Sequence, residues 1–373
     1  MALQYLLFAM PCSFLKTIEM WPRYASGKKG SLVMSAHHSS RWALVALLVA
    51  GTLAAGRAAA ETAVNFTLDS KLEGPSAPFL LPIDKGYYKT EGLDVSIDIA
   101  TDAQESIRRV AAGDYNMGFG DINSLIKLRD KDPGLPVKAV FVLYNRPAYA
   151  VIGRKSRGIR TPKDLEGKTL GAPPADPAFA QWPIFTQVNS INASKVTIEN
   201  VSFPVRDPML AAGQIDAITG MSLSSYIDLK DKGVPVDDLA VLLMADYGVV
   251  LYGSAIFVNS KFAAEHPDAV GAFLRAFMKG LKETIRQPSV AIDSVLKRNA
   301  TARKNVELDR LTMAIRENIV TPEVKANGYG SIEEERFGKA IEQIALTHKF
   351  KTKPKPSDVF DPSFLPPITM RKY

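Results

Sequence analysis

A residue pattern that occurs twice, one hundred positions apart, most strongly constrains the fold of this chain. Residues 111–121 read AAGDYNMGFGD and residues 211–221 read AAGQIDAITGM. Each segment predicts the end of a helix, a glycine stop, a short strand and a second glycine before a polar loop. Chance similarity in a chain rich in alanine and glycine is the alternative, but the shared order of elements favours a duplication into two lobes.

A capped helix start precedes both segments. Asp102 and Glu105 form a capping box for a helix that ends at Ala112. In the second copy, Asp207 is the predicted cap and Pro208 the first helical residue. In open α/β sheets, ligands bind at the carboxyl ends of the strands. Two lobes that face each other would therefore bring both polar loops to one cleft.

Strands and helices alternate through the first part of the chain. The predicted strands are 64–69, 93–99 and 115–119, with a helix over 79–88 between the first two. This alternation indicates parallel βα units. A long amphipathic helix that packs on one lobe is predicted after Phe257. Its apolar positions are Val270, Phe273, Leu274, Phe277, Leu281 and Ile285.

The N-terminal region has the pattern of a secretory signal peptide. An uncharged apolar run over 42–55 follows Arg41 and precedes three alanines, which predicts a signal peptide over 34–60. The run is shorter than the roughly 20 residues of a membrane span. We expect cleavage between Ala60 and Glu61 and a mature protein in the periplasm.

Met34 stands where that signal should begin, so residues 1–33 are predicted to be an artefactual extension. Of the net charge of +7, five units belong to residues 1–60, which hold six Lys or Arg and one Glu. The remainder is nearly neutral, and its charge therefore gives no indication of nucleic-acid binding. The single cysteine, Cys12, precedes the signal, which excludes disulfides, cysteine-ligated metals and cysteine nucleophiles after residue 60.

The sequence carries no recognisable catalytic or cofactor motif. Gly167-Lys168-Thr169 resembles the end of a phosphate-binding loop, but Pro162 stands where that loop needs glycine. His266 and His348 follow the signal peptide without metal-ligand spacing around them. We therefore expect no catalysis, no cofactor and no bound metal.

Three segments resemble the nitrate/sulfonate/taurine-type periplasmic substrate-binding proteins of ABC importers, whose domain is shared with thiamine-pyrimidine synthase. They are FLLPIDKGYYKTEGLDV at 79–95, AGDYNMGFGD at 112–121 and GIRTPKDLEGKTLG at 158–171. The likeness covers roughly residues 62–350. This combination of motifs identifies the family but does not identify the ligand.

The resemblance implies an α/β type II periplasmic-binding-protein fold, with two βα lobes joined by two hinge crossovers. One lobe would comprise 62–145 plus 256–373 and the other 149–252, with crossovers near 144–152 and 249–257. It also implies capture of a small molecule by lobe closure and delivery to an ABC permease of the inner membrane. We expect a monomer.

Two other functions stay open. Synthases of the family carry a histidine in the loop after the first strand, where this chain reads GPSAP over 74–78, so the enzyme alternative is disfavoured. The second alternative is a receptor that signals through a partner instead of feeding a transporter. Sulfonates, nitrate-like anions, pyrimidines and aromatic acids all remain open as ligands.

The two-lobe geometry places candidate ligand contacts in the loops after strands and at the hinge. The predicted contact residues are Ser76, Asp121, Asn123, Asn145, Tyr149, Asp176, Phe179, Trp182, Met221 and Ser222. Arg146 is the predicted cation near the hinge, whereas Arg206 is placed on the far side of its strand. Such a set favours a heteroaromatic or amine-bearing ligand. Trp182 would stack on it, and Asp121 or Asp176 would accept its hydrogen bonds.

Overall fold

The computed structural model describes residues 61–373, which form two five-stranded sheets. The predicted signal peptide over 34–60 and the extension over 1–33 lie outside the described residues. The strands are Thr62–Leu68 (β1), Leu93–Ile99 (β2), Met117–Asp121 (β3), Val137–Val142 (β4), Tyr149–Arg154 (β5), Thr169–Ala172 (β6), Thr197–Asn200 (β7), Ala217–Met221 (β8), Leu239–Leu243 (β9) and Ser254–Asn259 (β10).

Helices cover both sheets. The α-helices in the described part are Ala77–Asp84 (α1), Tyr87–Thr90 (α2), Ala103–Ala112 (α3), Ile122–Lys131 (α4), Trp182–Val188 (α5), Phe203–Ala212 (α6), Ile227–Asp231 (α7), Ser260–Glu265 (α8), Pro267–Arg286 (α9), Pro288–Leu296 (α10), Lys304–Ala314 (α11), Pro322–Asn327 (α12), Glu334–Ala345 (α13), Pro356–Val359 (α14) and Ile368–Arg371 (α15). None of the helices within 61–373 is long and apolar enough to cross a bilayer.

Both sheets have the same strand topology. Their orders are β2-β1-β3-β10-β4 and β7-β6-β8-β5-β9. In each sheet, the strand that has just crossed from the other sheet runs antiparallel to its two neighbours: β10 in the first and β5 in the second. The other strands are mutually parallel, as the βα alternation predicted. This arrangement confirms the predicted type II periplasmic-binding-protein fold.

The chain passes between the sheets over 143–148 and again over 244–253, and we call these segments the crossovers. We call residues 61–142 and 254–373, which carry the first sheet, the first half. Residues 149–243, which carry the second sheet, are the second half. The lobe limits expected from the sequence stay a prediction.

The internal duplication is confirmed. Both α3 and α6 are followed by a glycine with a left-handed backbone, Gly113 with φ of 86° and Gly213 with φ of 73°. Glycine adopts this conformation without the steric cost that other residues meet. The strands that follow, β3 and β8, hold equivalent positions in their sheets. The loops after them therefore lie at matching ends of the two halves.

The predicted start of α6 is wrong. The helix begins at Phe203, so Asp207 and Pro208 lie inside it. The sequence offers two proline start signals, Pro204 and Pro208. The earlier one lies in the first turn, where a proline has no backbone hydrogen bond to lose, and the helix starts there.

The long amphipathic helix predicted after Phe257 is α9, which packs on the first sheet. Phe273 stacks on Phe66 of β1 with ring centroids 5.1 Å apart, and Phe277 lies 4.7 Å from Phe79 of α1. All four rings are fully buried. This aromatic core fixes α1, whose preceding loop reaches the space between the sheets.

The loop before α1 is held against α11 by a close approach. The backbone nitrogen of Gly74 donates to the Glu307 carboxylate at 2.6 Å. A Cβ at position 74 would lie 2.0 Å from the main-chain oxygen of Glu307, so only glycine fits. The helix predicted over 79–88 is two helices, because Gly86 takes a left-handed φ of 68° and divides α1 from α2.

Candidate ligand-binding cleft

A cleft of about 830 Å³ lies between the two sheets, at the carboxyl ends of their strands. Leu68 ends β1, Asp121 ends β3 and Met221 ends β8, and all three line the cleft. The volume falls within the roughly 300–1,000 Å³ of small-molecule sites. Its position follows the rule that ligands of open α/β sheets bind beyond the carboxyl ends of strands.

Asp121 links the two halves at the base of this cleft. Its Oδ1 accepts from the side-chain amide of Asn123 at 2.8 Å and from the Tyr149 hydroxyl. Its Oδ2 accepts from the backbone nitrogen of Ser124 at 3.1 Å and from the Ser124 hydroxyl at 2.9 Å. Burial raises the pKa of Tyr149 well above its usual value, and the charge of Asp121 adds to the rise, so this hydroxyl stays a donor. The oxygens of the Asp121 carboxylate are therefore occupied by the donors at the start of α4 and by the Tyr149 hydroxyl of β5.

Asp176 and Arg206 form a buried charge cluster in the second half. Arg206 NH1 lies 3.7 Å from Asp176 Oδ2, and its Nε donates to Asp207 at 2.7 Å. The Thr219 hydroxyl donates to Asp176 at 2.7 Å. Burial raises the pKa of Asp176 above its usual value, while the charge of Arg206 opposes the rise. The cluster fixes the loop after β6 against α6.

The structure corrects both cation assignments made from the sequence. Arg206 lines the cleft instead of lying on the far side of its strand. Because α6 begins before residue 206, that residue is helical and presents its side chain to Asp176. Arg146 does not line this cleft and pairs with Asp246 on the other crossover.

Aromatic rings occupy both walls. Phe119 of the first half and Tyr144 of the first crossover line the cleft, and Tyr149 lies at its base. On the opposite wall, Phe203 of α6 is 49% exposed. The Arg206 guanidinium carbon lies 5.6 Å from the centroid of the Phe203 ring. Phe203 thus presents an exposed ring that packs against the buried Arg206 guanidinium.

Trp182, the predicted stacking partner, is a core residue. Its side chain is 5% exposed, and its ring centroid lies 6.1 Å from that of Phe185. Phe179 is partly buried against the same core. The loop after β6 lines the cleft only over 175–177, because the chain then turns into α5 and packs its apolar face inward.

Asn145 lies in the first crossover, where it belongs to a hydrogen-bond network with the C-terminal part of the chain. Its amide nitrogen donates to Glu323 at 2.8 Å, and its side-chain oxygen accepts from Thr321 at 2.8 Å. Arg336 of α13 donates to the main-chain oxygens of Asn145 at 2.9 Å and of Leu251 at 2.8 Å. Since Asn145 and Leu251 belong to different crossovers, Arg336 ties both crossovers to α13.

The structure brings half of the predicted contact residues to the cleft. Those that line it are Ser76, Asp121, Tyr149, Asp176 and Met221. Those that do not are Asn123, Asn145, Phe179, Trp182 and Ser222. Among the latter, Asn123 supports Asp121, and the buried Ser222 hydroxyl has no hydrogen-bond partner within 61–373. Asp121, Tyr149 and Met221 are end residues of β3, β5 and β8, and Ser76 and Asp176 lie in the segments that follow β1 and β6.

Charged residues that sequence reasoning missed make the cleft acidic. Asp69, Lys71 and Glu73 follow β1, while Asp228 and Lys232 follow β8 at a greater distance. The lining contains seven carboxylates and three cations. The position of Asp69 directly after an apolar strand was the signal that could have found it. In the described part of the chain, no group of three or more His, Cys, Asp or Glu side chains is placed to hold a metal ion.

The titration of Asp69 is shifted far from that of an exposed carboxylate. Burial is the main cause that raises the pKa of Asp69 to about 7, and the charges of Asp121 and Asp102 contribute to the rise. The hydroxyl of Ser70 is 3.3 Å away and lowers that pKa slightly. Asp69 is therefore only partly ionised at neutral pH.

The sequence matches a known family over more than half of its length. A family profile described as "NMT1/THI5 like" matches residues 75–291. The chain belongs to the NMT1/THI5-like family. The family segment begins in the loop before α1 and ends in α10, so it contains every strand that borders the cleft except β1.

Relatives of this NMT1/THI5-like protein include both binding proteins and enzymes by name. The riboflavin-binding protein RibY of Chloroflexus aurantiacus is 27% identical over 58% of this chain and 61% of its own. The formylaminopyrimidine-binding protein of Halalkalibacterium halodurans is 27% identical over 57% and 64%. The 4-amino-5-hydroxymethyl-2-methylpyrimidine phosphate synthase of Schizosaccharomyces pombe is 26% identical over 57% and 64%. The matches span less than two thirds of these relatives.

Solved structures share the fold over most of the chain. The periplasmic aliphatic sulphonate binding protein SsuA of Escherichia coli superposes with a TM-score of 0.64 at 13% identity, covering 78% of this chain and 94% of its own. The periplasmic nitrate-binding protein NrtA of Synechocystis PCC 6803 gives a TM-score of 0.60 at 10% identity, covering 81% and 87%. At such identities, the likeness establishes the periplasmic-binding-protein fold alone.

Proposed function

We propose that this NMT1/THI5-like protein is an exported, non-catalytic solute-binding protein of the periplasm. In this proposal it captures a small heteroaromatic molecule and delivers it to an ABC permease of the inner membrane. The observation that carries the proposal is the cleft, which lies at the strand ends of two sheets connected by two crossovers. The names of two relatives and of the structural neighbours, which are binding proteins, support it.

Polar contacts between the halves support capture by closure. The Ser224 hydroxyl of the second half donates to Glu73 of the first at 3.1 Å. Lys230 of α7 pairs with Asp309 of α11 at 2.7 Å, and both side chains are nearly half exposed. An exposed ion pair of this kind contributes roughly 0–1 kcal/mol, so water can replace it when the halves separate. A ligand that touches both walls would favour the joined arrangement.

The wall chemistry supports a flat organic ligand. Phe203 and Tyr149 supply rings from the second half, and Ser76 supplies a hydroxyl from the first. Flat ligands stack on such rings and take their orientation from a few hydrogen bonds. Riboflavin and formylaminopyrimidine, named for two relatives, are flat heteroaromatic compounds. Phe203 replaces Trp182 as the proposed stacking residue.

Native mass spectrometry of the exported protein tests this proposal, followed by small-angle scattering with and without the molecule that co-purifies. We expect one bound heteroaromatic molecule and a smaller radius of gyration when it is bound. N-terminal sequencing should find the mature chain starting at Glu61. A tightly bound molecule that leaves the radius of gyration unchanged would contradict capture by closure.

A further inference from the structure

The carboxylates of the cleft that pair with no cation are confined to one wall. Four of its seven carboxylates pair with a cation within 4 Å: Glu73 with Lys71, Asp176 and Asp207 with Arg206, and Asp228 with Arg310. The remaining three are Asp69, Asp102 and Asp121, which form no salt bridge within residues 61–373. All three belong to the first half. A ligand that fills the cleft meets uncompensated negative charge on that side.

Two of these three carboxylates serve the backbone. Asp121 caps α4, and Asp102 caps α3 by accepting from the backbone nitrogen of Glu105 at 2.8 Å. Asp69 has no such role, and the Ser70 hydroxyl, 3.3 Å away, is its side-chain donor in the structure. Of these three carboxylates, Asp69 is therefore the one that caps no helix, which leaves most of its acceptor capacity for a ligand.

Tyr144 provides an independent sign of a ligand group at the same place. The residue is 5% exposed and lines the cleft, and its ring packs edge-on against Phe119 at 5.7 Å. No hydrogen bond from residues 61–373 reaches its hydroxyl. Burial raises the pKa of Tyr144, and the charges of Asp69 and Glu73, which line the same cleft, add to the rise. This hydroxyl belongs to a cleft-lining residue, so it is available to a ligand group.

We infer that the ligand carries a cationic organic group, an amine or amidine, that is bound by the Asp69 carboxylate and the Tyr144 hydroxyl. The inference rests on the proposed function and names the chemistry at one end of its ligand. A partly buried carboxylate without a cation is costly, and a cationic group lowers that cost through charge-assisted hydrogen bonds. An anionic group at this wall would meet three carboxylates, and the cation of this wall, Lys71, is already paired with Glu73.

Three flat probes of equal shape and different charge test the inference: benzamidine, benzamide and benzoate. Binding to the exported protein, stripped of co-purified molecules, is measured by calorimetry at pH 8. We expect benzamidine to bind about tenfold or more tightly than benzamide, the scale of one charge-assisted hydrogen bond. Benzoate should not bind. Calcium chloride, tested alone, should not bind either.

Variants locate the effect. Asp69→Asn should abolish the preference for benzamidine over benzamide, whereas Asp94→Asn, an exposed carboxylate of β2 outside the cleft, should preserve it. Tyr144→Phe keeps the ring and removes the hydroxyl, so benzamidine affinity should fall about three- to tenfold with an unchanged melting temperature. A residue that acted only on stability would instead lower the melting temperature.

Several results would overturn the inference. They are benzamide or benzoate binding as tightly as benzamidine, no benzamidine binding at millimolar concentration, calcium binding in its place, or full preference retained in Asp69→Asn. The proposed function fails separately. If the protein co-purifies with a neutral or anionic heteroaromatic molecule and compacts around it, the proposed function stands and the cationic ligand is refuted.

Discussion

Replacing Arg336 with alanine should loosen the hinge and destabilise the protein strongly. The guanidinium of Arg336 donates to the main-chain oxygens of Asn145 and Leu251 and to the Glu323 carboxylate at 2.7 Å. It also lies 4.0 Å from the centroid of the Tyr252 ring. Asn145 and Leu251 are buried, so truncation leaves two carbonyl groups without their charged donor. At roughly 1–3 kcal/mol for each orphaned group, the two groups account for about 2–6 kcal/mol, and the lost ring contact adds about 0.5–1 kcal/mol.

Urea unfolding gives the free energy of unfolding of Arg336→Ala, and hydrogen exchange at residues 144–146 and 250–252 reports the hinge. We expect faster exchange in both segments, because one side chain holds both crossovers. Arg336→Lys is the matched control. A lysine keeps the charge but cannot reach several fixed acceptors as a planar fork does, so it should recover less than half of the loss. A loss below about 1 kcal/mol in the alanine variant, or full recovery by lysine, would refute the clamp.

Three further predictions concern the cleft and its surroundings. Because the folded pKa of Asp69, about 7, lies above its unfolded value near 3.9, ionisation of Asp69 opposes folding as pH rises between these values. Asp69→Asn should therefore raise the melting temperature at pH 8 and leave it unchanged at pH 4; an equal effect at both would exclude titration as the cause. Trp182→Ala should lower the free energy of unfolding by about 3–5 kcal/mol, measured in urea, because the ring is in the core; a loss below about 1 kcal/mol would contradict that placement. Phe203→Ala should change stability by less than about 0.5 kcal/mol and weaken binding of the co-purified molecule, about fivefold or more, in calorimetry. Parental affinity in that variant would remove Phe203 from the site.

Local patterns predicted most of the fold. The duplicated segment, the glycine stops at Gly113 and Gly213, and the apolar stripe of α9 all depend on neighbours within a few turns of chain. Predictions from these patterns hold in the folded protein because backbone geometry and the burial of one helix face depend on residues close together in the sequence. The predicted start of α6 was wrong because this segment contains two proline start signals, Pro204 and Pro208. Local sequence gives little reason to prefer one of them over the other.

The rule that ligands bind at strand ends correctly predicted the cleft residues that are themselves the last residues of strands. Asp121 and Met221 end equivalent strands, and both line the cleft. The prediction that Trp182 contacts the ligand was wrong because the residue begins the seven-residue helix α5, beyond the loop that follows β6. A large ring on that helix packs better in the core than in the cleft. Exposure of a ring depends on which neighbours surround it, and these come from distant parts of the chain.

The sequence by itself determined the α/β class, the two-fold repetition and the edge of the sheets where ligands bind. Only the tertiary structure decided the electrostatics of that edge. Arg206 reaches the cleft because α6 begins at Phe203, and Asp69 remains without a cation although three line the same space. Charge pairing is a property of distances between side chains that lie far apart in the sequence. The periodicity of apolar residues along the chain does not depend on those distances, so it cannot predict which charges pair.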